Sequence, residues 1–143
     1  MTLTNRPEIF RPVEKLCPLP FFSEGVKAGF PSPADDYIEK LLDLNELMIS
    51  HPAATFFVRA EGNSMEGAGI FSGDILVVDR SLDAVSGKII IAVVNGEFTV
   101  KKLVKKKDTL YLMAESPHYH PIQITPDLDF LVWGVVTFVI HKT

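Results

Sequence analysis

The chain has 143 residues, is 47% hydrophobic and 22% charged, and carries a formal net charge of −4. Such a composition supports one packed domain and excludes a disordered chain, and the acidic balance argues against a chain-wide attraction to nucleic acid or to an anionic membrane. A single cysteine, Cys17, leaves no internal disulfide to form. That suits a reducing compartment. No segment approaches the ~20 apolar residues of a membrane span. The opening stretch MTLTNRPEIFRPVEKLCPLPFF has four prolines and no apolar signal-peptide core. The expectation is a cytoplasmic protein.

Residues 1–31 read as an extended arm, because Pro7, Pro12, Pro18, Pro20 and Pro31 interrupt regular elements. Residues 32–143 read as the folded domain. Ser32 as a cap, Pro33 at the first helical position and Asp35 three residues after the cap predict a helix from Pro33 to about Leu41. A second short helix is predicted from Asp43 to about Ser50, before Pro52. The pattern then changes to strands. TFFVRA (55–60), DILVVD (74–79), KIIIAVV (88–94), EFTVKKLV (97–104), TLYLMA (109–114) and FLVWGVVTFVIH (130–141) are rich in β-branched and aromatic residues. Asn95-Gly96 between two of these runs is a strong hairpin signal. No helix long enough for a parallel crossover separates the strands. The predicted fold is therefore mainly β: a curled, antiparallel sheet with a short helical region and an N-terminal arm.

Two features carry possible chemistry. In AEGNSMEGAGIFSGD (60–74), Ser64 sits among Gly62, Gly67 and Gly69. A serine in that setting is ordinarily a turn residue. The same glycines let backbone N–H groups converge on one point, as an oxyanion site requires. As a nucleophile Ser64 would need a base, and none of His51, His118, His120 and His141 shows a triad pattern. The second feature is EFTVKKLVKKK (97–107), which places Lys101 and Lys102 inside a strand on opposite faces. They can be solvated edge lysines. One of them can instead be partly buried, neutral and able to deprotonate a serine. Phe98, Val100, Lys102 and Val104 share the more apolar face, so a core argument alone points to Lys102. His118 and His120 lack further ligands at metal-site spacing and read as loop residues. The lysines from 101 to 107 read as a solvated hairpin rather than a phosphate-binding run.

GNSM (62–65), GIFSGD (69–74) and GEFTVKKL (96–103), with the segment LPFFSEGVKAGFPSPADDYIEKLLDLNELMISHPAATFFVRAEGNSM, resemble the LexA/UmuD group of self-cleaving Ser-Lys peptidases. The likeness runs from about residue 19 to 141. It implies that group's peptidase fold, Ser64 as nucleophile, Lys101 as general base in place of Lys102, and Ala28-Gly29 as the scissile bond. Ala-Gly is the LexA-type pair, whereas the UmuD-type pair is Cys-Gly; both are small. The implied oxyanion donors are the backbone N–H groups of Asn63 and Ser64. No cofactor is implied. The role implied is in the DNA-damage (SOS) response. The protein would be a homodimer whose cleavage is stimulated by a RecA–single-stranded-DNA filament, and its truncated form would serve a UmuC-like translesion polymerase. A LexA-like repressor would need a helix-turn-helix before the cut, and a signal-peptidase-like enzyme would need a membrane anchor. A non-catalytic β interaction module would use the loop and lysines structurally.

Overall fold

The strand-rich runs form strands, and the register of their pairing explains the pattern. A computed structural model describes residues 7–13, 15–22, 25–26, 28–29 and 38–143. In chain order the strands are β1 (Ile9–Phe10), β2 (Leu19–Phe22), β3 (Ile38–Leu42), β4 (Thr55–Arg59), β5 (Ile75–Asp79), β6 (Ile89–Val94), β7 (Glu97–Lys106), β8 (Thr109–Met113), β9 (Ile122–Ile124) and β10 (Phe130–Ile140). Among the described residues one α-helix, α1 (Leu44–Met48), lies between β3 and β4. The fold is mainly β, as the sequence predicts, and every described strand pair is antiparallel.

The chain divides into two compact units, Met1–Pro12 with His51–Thr143, and Val13–Ser50. The larger holds an eight-stranded sheet in the order β1-β4-β5-β10-β6-β7-β8-β9. Its core forms two clusters. Val58, Ala60, Met65, Ile70, Leu76, Val78 and Ile91 make one; Ile90, Ala92, Leu103, Leu112 and Val135 make the other. Strand β6 supplies both, Ile91 to the first and Ile90 and Ala92 to the second. Burial on both faces accounts for the unbroken apolar run IIIAVV, where a half-exposed strand would alternate. Each such side chain taken fully out of water contributes about 1.5–3 kcal/mol. Register shifts in β10, between Val132 and Gly134 against β6 and between Val136 and Phe138 against β5, bend this long strand as bulges do.

The smaller unit pairs β2 with β3 and continues into α1. Asp43 caps α1: its Oδ1 accepts the Asn45 N–H at 2.8 Å and its Oδ2 accepts the Cys17 N–H at 2.6 Å. The second predicted helix is thus present, shorter than expected. The first is corrected over its C-terminal half. Ile38–Leu42 is strand β3, because pairing with β2 overrides the local helical signal; positions 33–37 lie outside the described residues. The expectation that prolines keep regular elements out of the arm is also corrected. β2 accommodates Pro20 because a strand in a two-stranded sheet has a side on which no N–H is required.

Two buried carboxylates tie loops to the larger unit. Asp79, 4% exposed, accepts His51 Nδ1 at 2.6 Å, the Ser81 N–H at 2.8 Å and the Ser81 hydroxyl at 2.6 Å. Asp74 accepts His141 Nδ1 at 2.6 Å and the Phe71 N–H at 2.8 Å. Burial pushes both carboxyls up, but hydrogen bonds from Ser81 and His51 to Asp79, and from Phe71 and His141 to Asp74, outweigh it. Both groups end below the ordinary carboxylate value. A depressed folded-state pKa stabilises the fold above the ordinary value, and that contribution is lost as the pH falls through the folded one. Asp79→Asn is therefore expected to cost about 1.5–3 kcal/mol at neutral pH. Urea denaturation from about pH 7 down to about pH 3 should show the gap to the parent narrowing; a constant gap would refute the ionic account.

Candidate functional site

After β4 the chain turns through the glycine-rich loop. Met65, 3% exposed, drops into the core beside Ile70 and anchors the loop, while Ser64 remains half-buried above it. A 3-10 turn, Glu66–Ala68, follows. The loop is then clamped from the far side by a single residue: the Glu115 N–H donates to the Ser64 carbonyl and the Gly67 N–H donates to the Glu115 carbonyl, both at 2.8 Å. A Cβ on Gly67 would stand 2.5 Å from the Glu115 carbonyl oxygen, so only glycine permits this approach. The Tyr119 hydroxyl donates to Asn63 Oδ1 at 2.8 Å and secures the residue before Ser64.

The lysine arrives from β7. Asn95 and Gly96 both have positive φ, 50° and 81°, as a tight two-residue hairpin needs. The turn sets Val94 opposite Glu97 and, further along, Ile90 opposite Lys101 and Ile89 opposite Lys102. Alternation then puts Thr99 and Lys101 on one face. Lys101 Nζ donates to Thr99 Oγ1 at 2.8 Å, to the Val100 carbonyl at 3.2 Å and to Ser64 Oγ at 3.3 Å. Burial lowers the Lys101 pKa below the ordinary lysine value. Among the described residues no carboxylate pairs with Lys101, whereas Lys102 Nζ lies 3.3 Å from Glu115 Oε1. The structure thus brings Ser64 together with Lys101 and gives Lys102 an acidic partner, the reverse of what the more apolar face alone suggests.

Beside Ser64 opens a cavity of about 150 Å³, lined by Met65, Ile91, Phe98 and Val100, with Pro7 also on its wall. Arg59, Glu61 and Thr99 also line it, so the wall mixes apolar and polar groups. Ala28 and Gly29 belong to the smaller unit, at exposed bends. His118, His120 and Lys105, Lys106 and Lys107 are exposed. Among the described residues no three His, Cys, Asp or Glu side chains cluster as metal ligands, and no helix is long and apolar enough to cross a membrane. Sequence reasoning missed Thr99, although its place two residues before Lys101 on the same strand puts it within reach. It also missed Glu115 and Tyr119, which reach the loop from a distant turn and leave no local signal.

A serine beside a partly desolvated lysine on a curled antiparallel sheet is an arrangement suited to serine peptidase chemistry, and comparison with known proteins gives the family. The model described as Peptidase S24-like matches residues 20–137, and the chain belongs to that family. It is 49% identical to Protein ImpA of Salmonella typhimurium over 125 residues, 87% of this chain and 84% of that protein. To Protein MucA of Escherichia coli it is 44% identical over 120 residues, 83% of this chain and 82% of that one. It is 39% identical to the LexA repressor of Stenotrophomonas maltophilia over 110 residues, 77% of this chain and 52% of the repressor. The resemblance to the LexA/UmuD group thus holds for family and fold.

Two changes probe this geometry. Gly67→Ala should destabilise the fold by about 1–3 kcal/mol, because the Glu115 backbone must move to admit the methyl group; a loss under about 0.5 kcal/mol in urea denaturation would show that the clamp yields freely. Lys101→Met removes a charge that burial disfavours. With its folded pKa below the unfolded one, Lys101 weakens the fold fully at pH values under the folded pKa and ceases to do so above the unfolded one. The variant should melt higher than the parent at neutral pH, by a margin that shrinks as the pH becomes alkaline.

Proposed function

We propose that this chain is a self-cleaving serine endopeptidase of the DNA-damage (SOS) response, with Ser64 as nucleophile and Lys101 as general base, cutting its own Ala28-Gly29 bond. The observation that carries this reading is the 3.3 Å contact between Lys101 Nζ and Ser64 Oγ, made by an amine with depressed pKa. A neutral amine has two N–H groups and one lone pair. Once the amine gives up the proton it holds toward Ser64 Oγ, its two N–H groups can stay on Thr99 Oγ1 and the Val100 carbonyl, and the lone pair would then face the Ser64 hydroxyl. Ser64 Oγ attacks the Ala28 carbonyl carbon while its proton passes to Lys101 Nζ. Negative charge gathers on the carbonyl oxygen, which the backbone N–H groups of Asn63 and Ser64 receive. The C–N bond then breaks and Lys101 returns the proton to the Gly29 nitrogen, leaving an ester on Ser64. Water, deprotonated by the same amine, hydrolyses the ester and restores the serine.

In this reading residues 1–31 are the arm that carries the cut site and residues 32–143 the peptidase-like domain. The intact protein is a homodimer. A RecA–single-stranded-DNA filament stimulates cleavage by favouring the conformation in which the arm is engaged, without adding catalytic groups. The shortened form then serves a UmuC-like translesion polymerase in error-prone repair. The similarity to ImpA, MucA and the LexA repressor supports this role. Neither a cofactor nor a membrane enters the scheme.

The rate of shortening should rise with pH and level off above the folded pKa of Lys101, which lies below the ordinary value near ~10.4. Ser64→Ala and Lys101→Ala should each slow it at least ~100-fold at every pH. Lys102→Ala should keep the pH-dependent rise, because Lys102 faces Glu115. Mass spectrometry of the product should find a chain starting at Gly29. A different terminus, or a Lys102→Ala variant that is the inert one, would overturn the assignment.

A further inference from the structure

The part of the chain that would be cut away is woven into the part that would remain. β1 pairs with β4, setting Ile9 opposite Val58 and Phe10 opposite Phe57. The Arg59 N–H donates to the Glu8 carbonyl at 3.1 Å, the Arg59 guanidinium pairs with the Glu8 carboxylate, and the Arg11 guanidinium lies 4.8 Å from the centre of the Phe56 ring. In the smaller unit β2 pairs with β3, from Leu19 opposite Leu42 to Phe22 opposite Ile38. Cys17 and Lys15 add backbone hydrogen bonds to the side chains of Asp43 and Asn45. Residues 1–28 therefore place one strand in each unit against a strand that comes after residue 29.

We propose that residues 1–28, once severed, remain docked as a two-strand ligand of residues 29–143, and that cleavage and exposure of the outer edge of β4 are separate events. The inference takes its cut position from the reading above. Hydrolysis of the Ala28-Gly29 bond consumes one water and leaves a carboxylate on Ala28 and an ammonium on Gly29. Both new charges form at exposed positions, outside either ladder, so the cut breaks none of these contacts. The two attachment points are joined by only the residues between Phe10 and Leu19. Release of one leaves the other holding it at high effective concentration, and bivalent ligands engaged at both sites bind ~10²–10⁴-fold more tightly than either contact alone. β1 also keeps Pro7 on the wall of the cavity beside Ser64, so the docked fragment continues to contribute to that wall.

The test severs the chain without its own chemistry. A recognition sequence for a site-specific protease is inserted between Ala28 and Gly29 of the Ser64→Ala chain, which is then nicked by that protease. Native size-exclusion chromatography with mass spectrometry should find both pieces in one peak. Exchange against a labelled synthetic peptide of residues 1–28 gives the release rate. Glu8→Lys with Arg11→Glu, both in the β1 region and away from the sheet core, should release the fragment at least ~10-fold faster while β2 still binds. A fragment that elutes by itself from the unaltered nicked chain overturns the proposal, as does a double variant with an unchanged release rate. The chain with Ser64 intact and no inserted sequence separately tests self-cleavage; its failure would remove the natural cut and leave the measured docking in place.

Discussion

Strand register is the constraint on which the site depends. Side chains on a strand alternate faces, so sliding β7 by one residue against β6 would exchange Lys101 for Lys102. The first would then face Glu115 and the second would approach Ser64. Asn95-Gly96 fixes the register at one end, since its paired positive φ values close the hairpin with no residue to spare. Ile90 and Ala92 fix it along the strand, since a slip would carry them out of one core cluster and into the other. A lysine's proximity to a serine is thus set by a turn five residues away and by the packing of the neighbouring strand.

The loop that carries Ser64 is held by different means. It has no ladder of its own and borrows one residue's backbone, Glu115, for both a donor and an acceptor. The Glu115 side chain is engaged as well, by Lys102. The two adjacent lysines therefore act on the same loop from opposite faces of β7, Lys101 through the Ser64 hydroxyl and Lys102 through the residue that clamps the Ser64 carbonyl. One of these contacts is an ion pair, and the other requires an amine kept partly from water. Such a division suits a strand with a separate environment on each face.

Much of this was legible in the sequence because it rests on local patterns. The strands from Thr55 onward announce themselves by β-branched and aromatic runs, and the β6–β7 hairpin by Asn95-Gly96. Ser64 and Lys101 are marked by their motifs and by family resemblance. Face periodicity by itself selected Lys102, because it counts apolar neighbours and cannot see the Glu115 carboxylate that satisfies that lysine. The helical signal before Leu41 gave way to β3 because its partner, β2, lies about twenty residues earlier, beyond any local window. β1 was hidden for the same reason. Two residues between prolines carry no periodicity, and only the free edge of β4 makes them a strand.

The position of β10 has a consequence for how the protein is made. It is the central strand of the larger sheet, flanked by β5 and β6, yet it follows all the others in the sequence. Without it, the strand order leaves β1, β4 and β5 on one side and β6 to β9 on the other, each group with an unpaired edge. Closure waits on the final strand, so long-range pairing dominates the search and slows it. In that interval both edges can recruit other chains. Truncation within Phe130–Ile140 would therefore leave two half-sheets with nothing to join them.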